Sequence, residues 1–155
     1  MSSGKLTLVI TDTSCLIVLD TIRQLELLPR LFNVVVTTPE VAAEYGKSLP
    51  AWLKLHAVKN HSLQDEISAI VDAGEASAIA LAREIESDYI VIDDLQARKL
   101  AIKLGLTVIS TLGILLKAKQ SGLIPLLRPV LEQVKRTDFR VTVTLIEKVL
   151  RDCGE

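Results

Sequence analysis

The chain has 155 residues, near the commonest size of a single domain, and can bury about two-thirds of its unfolded surface without a disulfide or structural metal. Its 18 Lys and Arg against 19 Asp and Glu leave a net charge of -1, so no global basic field marks a nucleic-acid or acidic-membrane binder, and any polyanion site has to be local. Cys15 and Cys153 lie at opposite ends with no Cys/His cluster, which argues against a disulfide scaffold or zinc site and for two reduced thiols.

The first element is "LTLVIT", residues 6–11, a short β-branched apolar run that Asp12 cuts off. Only Lys5 precedes it as a cation, and the run is too short for a signal peptide or membrane span, so a cytoplasmic protein with no membrane partner is expected. Leu16, Leu19, Ile22 and the leucines of 25–31 predict one or two short helices. Residues 33–37 form the second strand. Thr38-Pro39-Glu40 then opens a helix with an N-cap hydroxyl, a proline in the first turn and an acid near the positive end of the dipole. A weaker strand is expected at 55–59, and His56 and His61 fall in a loop-like stretch as ordinary surface or packing histidines.

Residues 74–84 carry Ala76, Ile79 and Ala80 at helical spacing, continued by Ile85, and 95–104 repeat the pattern before Gly105. Between them the strand 89–92 runs straight into Asp93 and Asp94. A last strand at 107–109 precedes "LGILLKAKQSGLIP", a helix ended by Gly122 and Pro125, with further helical segments at 126–135 and 143–151. Strands alternating with helices predict an α/β fold: one domain over 1–155, a three-layer αβα sandwich around a central, mainly parallel sheet of about five strands. In such sheets ligands bind outside the carboxyl ends of the strands, where Asp12, Asp93 and Asp94 fall.

Each acid has a bland role available. Asp12 can cap a helix, Glu75 can stabilise a helix dipole, and one of Asp93 and Asp94 suffices to cap the helix at Leu95. Glu40 and Glu44 share one helix face, with Glu44 too deep in the helix for the dipole to explain it. Taken together, however, acids from two strand ends and two helices can converge, and clustered carboxylates take up protons unless a divalent cation neutralises them. An all-oxygen set suits Mg2+ or Mn2+ and metal-dependent phosphodiester cleavage. Thr13, Ser14, Ser110 and Thr111 supply hydroxyls on the same rim, and Arg98 and Lys99, with Lys117 and Lys119, are the local cations; for most of these, turn capping or a solvated helix face is an adequate role.

The blocks "DTSCLIVL", "PEVAAEY", "GEASAIALA", "IDDLQARKLA", "LGLTVISTLGILLKAK" and a terminal "GE" resemble a poorly characterised prokaryotic branch of the PIN-domain superfamily, the nuclease fold that includes VapC-type toxins. The resemblance implies a Mg2+- or Mn2+-dependent ribonuclease in which Asp12, Glu44, Glu75 and one of Asp93 and Asp94 hold the metal. Asp94 is the preferred member of that pair, with Asp93 as neighbour or second ligand. An RNA substrate, an antitoxin partner and a homodimer are implied by analogy. Glu75 stands where many PIN nucleases carry aspartate, and the doublet is a second departure.

Other classes fit less well. A haloacid-dehalogenase-type phosphatase needs an acid two residues after Asp12, where this chain has Ser14, and a receiver domain needs a lysine where "VISTLG" offers Ser110 and Thr111. A non-catalytic PIN-like module that binds RNA or protein remains the alternative outside enzymes.

Overall fold

The computed structural model describes residues 7–155, so Leu6 of the expected first strand, and Lys5 before it, lie outside the described residues. Five parallel strands, β1 (Leu8–Ile10), β2 (Val34–Thr37), β3 (Leu53–Leu55), β4 (Tyr89–Val91) and β5 (Val108–Ile109), form one sheet in the order β3-β2-β1-β4-β5. The αβα expectation therefore holds, with every strand pair parallel.

Alternation along the strands splits the core. Val9, Val35 and Val91 face one layer, made by α1 (Thr13–Thr21), α2 (Leu27–Leu31), α7 (Thr111–Gln120), α8 (Arg128–Lys135) and α9 (Val143–Asp152). Ile10, Val36, Ile90 and Ile92 face the other, where α4 (His61–Ser68), α5 (Ala73–Glu84) and α6 (Leu95–Lys103) pack. Two-sided burial explains why these strands read as unbroken apolar runs. The short helix α3 (Pro39–Tyr45) follows β2 and ends at Gly46, whose φ of 72° is left-handed and closes the helix one residue after Tyr45. That stop leaves Glu44 in the last turn.

Two expectations are corrected. The weak strand at 55–59 is displaced to Leu53–Leu55, because Leu53 is the apolar residue that reaches the core while Leu55, His56 and Ala57 stay exposed. Leu53 pairs with Val35 at the sheet edge. The stretch around His61 is helix α4 rather than loop: Asn60 caps it by accepting from the Leu63 amide at 3.1 Å, and Ile67 anchors it in the core. With only Leu63 and Ile67 apolar among its eight residues, it is too short a pattern to stand out in the sequence. His56 and His61 are both exposed.

The strand order also fixes where a site can be. From β1 the chain moves outward to β2 and β3, then returns past β1 to β4 and β5, so successive connections leave β1 and β4 on opposite sides of a crevice at their carboxyl ends.

Candidate active site

Asp12 leaves β1 and Asp93 leaves β4 on the two sides of this crevice. Asp12 is 2 % exposed and caps α1, its Oδ1 accepting from the Cys15 amide at 3.0 Å. Ser14 Oγ lies 3.1 Å from Asp12 Oδ2 and 2.8 Å from Asp93 Oδ2. A hydroxyl has one proton, so Ser14 can donate to only one of these carboxylates at a time. Burial, and then the charge of Asp93, hold the Asp12 carboxyl well above its usual range. The same burial, with both aspartates above it, raises the buried Cys15 thiol.

Asp93 is locked in place by α7. Thr111 donates its amide to Oδ1 at 2.8 Å and its hydroxyl to Oδ2 at 2.6 Å, and Thr111 itself is fully buried. Asp94 turns outward and caps α6, accepting from the Ala97 amide at 2.9 Å. The doublet is thus divided: Asp93 faces Asp12, while Asp94, the member preferred from the sequence, is exposed at the helix start.

Glu44 and Glu75 border the crevice from the next helices. Thr13 Oγ1 donates to Glu44 Oε1 at 2.5 Å. Beside it, Gly74 leaves room: a Cβ there would lie 2.0 Å from Glu44 Oε1. Glu40, one turn earlier, points elsewhere and accepts from Gln64 of α4, so of the two glutamates on this helix Glu44 is the one at the crevice. Glu75 is half-buried, and burial followed by the charges of Asp72 and Asp94 pushes its carboxyl up to about 7.

Two cavities express this arrangement. One, of about 430 Å³, is lined by Asp12, Thr13, Ser14, Glu44, Asp72 and Glu75. The other, of about 560 Å³, includes Ser14, Glu75, Asp93, Asp94, Arg98 and Ser110. Ser110 caps α7 by accepting from the Gly113 amide at 3.0 Å, and Arg98 donates to the Ile92 carbonyl at 3.2 Å. Lys99 is exposed on α6 and borders neither cavity. The other two candidate cations are remote from the acids: Lys117 sits 5.3 Å above the Tyr89 ring, and Lys119 binds the Pro125 carbonyl at 2.6 Å.

Sequence reasoning missed three contributors. Asp72 caps α5 by accepting from the Glu75 amide at 2.9 Å, and the pattern Asp72-Ala73-Gly74-Glu75 is the N-terminal signature that could have marked it. Phe139 and Arg140 come from the irregular segment before α9, far along the chain, and no local pattern places them in the crevice.

The donors are all oxygens, and a buried Asp12 sharing one hydroxyl with a partly buried Asp93 is stabilised by a positive charge, so the residues fit a hard divalent cation. Among the described residues, no three His, Cys, Asp or Glu groups stand together closely enough to hold an ion as they are. Asp12 and Asp93 are the linked pair, with Glu44, Glu75 and Asp94 around them.

A parallel α/β sheet with carboxylates at its switch point defines the class to which this chain is to be compared. A family model described as a PIN domain matches residues 8–155, and the chain belongs to the PIN-domain family. The fold is of the nuclease type, and PIN domains typically work with divalent metals. No curated protein matches the sequence.

Proposed function

We propose that the protein is a Mg2+- or Mn2+-dependent endoribonuclease. The observation that carries this reading is the buried Asp12 facing Asp93 across one shared hydroxyl: two carboxylates held together at a cost to the apo protein, at the ligand-binding end of a PIN-type sheet. Asp12, Glu44, Glu75, Asp93 and Asp94 would hold the cation, with Asp12 and Asp93 as its fixed base. Bound there, a divalent cation supplies a polarised phosphoryl oxygen and a hydroxide nucleophile. Thr111 keeps Asp93 oriented, Thr13 keeps Glu44 oriented, and Ser14 holds the spacing between the two aspartates. Arg98, which lines one cavity with Glu75, Asp93 and Asp94, is the local counter-charge for a phosphate.

The test is cleavage of a mixed-sequence RNA pool with Mn2+ or Mg2+, comparing the wild type with Asp93→Asn, Asp94→Asn and excess chelator. Cleavage is expected in the wild type alone or nearly so, with Asp93→Asn the more damaging variant. Cleavage that survives chelation and both variants refutes the reading.

By analogy with the VapC-type members of the superfamily, we extend this to a toxin of a toxin-antitoxin pair, acting in the cytoplasm as a homodimer with an antitoxin protein as partner. Light scattering on purified protein tests the dimer, and a small gene directly upstream would support the pairing. No helix among the described residues is long and apolar enough to cross a membrane.

A further inference from the structure

Aromatic side chains are scarce, two Phe, two Tyr and one Trp, and most are committed to packing away from the crevice. Phe32 and Tyr89 pair edge to face at 6.0 Å, Trp52 donates to Glu26 at 2.7 Å, and Tyr45 is buried in the core. Phe139 is different. It lines the cavity of about 560 Å³ that holds Asp93, Asp94, Arg98 and Arg140, and also an adjoining cavity of about 430 Å³ with Ile17, Val18, Arg136 and Asp138. Ser14, which touches both Asp12 and Asp93, borders the same two cavities.

We propose that these cavities are adjoining nucleotide subsites for single-stranded RNA, with Phe139 standing between successive bases. This rests on the nuclease reading and names how that site holds its substrate.

The chemistry of the two compartments supports it. The first sets Arg98 and Arg140 beside the acids, and a guanidinium is the side chain best matched to a phosphate. The second is mainly apolar: Ile17, 46 % exposed despite its hydrophobicity, Val18 and the Phe139 ring form its walls, while Arg136, Thr137 and Asp138 offer donors and acceptors at its edge. Both volumes fall within the range of sites for small organic groups. Apolar walls with a polar edge suit the flat face and hydrogen-bonding rim of a base, and once a divalent cation offsets Asp93, Asp94 and Glu75, the three arginines Arg98, Arg136 and Arg140 favour a polyanion. A strand laid past Arg136, Ser14 and Arg140 brings the phosphate between two bases to Ser14, beside the cation that Asp12 and Asp93 would hold. A duplex, whose bases are stacked internally, cannot fill either compartment.

Fluorescence anisotropy with a labelled, cleavage-resistant phosphorothioate tetraribonucleotide in Mn2+ tests this, alongside a base-free sugar-phosphate oligomer of equal charge. Phe139 also packs on the core, so Phe139→Leu is paired with Phe139→Tyr, and melting curves verify folding of both. Phe139→Leu should weaken the tetranucleotide about tenfold, from the usual value of one stacked base, and Phe139→Tyr should bind like the wild type. Neither variant should change the affinity of the base-free oligomer. Equal wild-type affinity for both oligomers, or Phe139→Leu binding like the wild type, overturns the subsites. Absence of any RNA affinity also overturns them and leaves this face to a protein partner. The nuclease reading fails separately: protein that binds the tetranucleotide with this base dependence yet cuts no RNA keeps the subsites and loses the catalytic role.

Discussion

Gly74→Ala sets the stability of the chain against the position of one carboxylate. The new Cβ would stand 2.0 Å from Glu44 Oε1, 2.8 Å from Cδ and 3.2 Å from Oε2, so the Glu44 carboxylate must withdraw by more than an ångström. It can do so, because Glu44 is exposed in the last turn of α3 and the obstructing atoms are the far end of a flexible side chain. Withdrawal breaks the 2.5 Å bond from Thr13, a loss of about 1 kcal/mol. Against it, alanine in a helix is favoured over glycine by up to about 1 kcal/mol. The two nearly cancel, and a melting temperature within about 4 °C of the wild type is expected for a chain of this size. Mn2+ affinity, measured by titration calorimetry, should fall at least about tenfold, as when the supporting shell of a metal site is disturbed. RNA cleavage should fall with it. A large loss of stability would mean that Gly74 serves packing, and unchanged Mn2+ affinity in a folded variant would refute the placement of Glu44 at the cation.

Asp12→Asn keeps the cap on Cys15 and removes the buried like charge, so without divalent cations the variant should melt above the wild type. The same variant should lose the roughly 2.7 kcal/mol gain that a cation at a hundredfold its Kd confers, which thermal shift with and without Mn2+ reads directly. Thr111→Val removes the hydroxyl bond to Asp93 and leaves the amide bond; about 1.5 to 3 kcal/mol of stability should go, in urea melts, together with Mn2+ affinity. Glu155 accepts from the Leu127 and Arg128 amides at 2.6 and 3.1 Å, which lower its carboxyl to about 2. A depressed carboxylate contributes above its unfolded value of 4.5 and loses that contribution as pH falls toward 2. Glu155→Gln should therefore flatten the acid limb of the stability curve between those values, and an unaltered limb would count against the anchoring role.

Much of this was legible because each signal was local. The apolar runs ending at Asp12 and Asp93 gave the strands, their parallel arrangement and the end of the sheet that matters. The division of labour in the doublet was half legible: one aspartate had to cap α6, but only the fold decides that Asp94 does so while Thr111, from another element, fixes Asp93. Glu40 and Glu44 were separable only once α4 brought Gln64 against the first. Helix α4 stayed hidden because it is short, with Leu63 and Ile67 as its only apolar residues, and its start depends on the Asn60 side-chain cap. Phe139 and Arg140 carry no periodic or motif signal, and their place depends on how the last two helices fold back over α1 and α6.

The burial of Cys15 gives the crevice a built-in reporter. Its thiol is fully enclosed and, beneath two aspartates, resists ionising, so alkylating reagents at neutral pH have neither access nor a thiolate to attack. Cys153, half-buried near the chain end, is the faster target. Once Cys153 is blocked, each further modification records an opening of α1 away from the strand ends, and its rate becomes a clock for local unfolding at the site. Any ion or oligonucleotide that ties Asp12 to Asp93 slows that clock, whether or not a bond is ever cut.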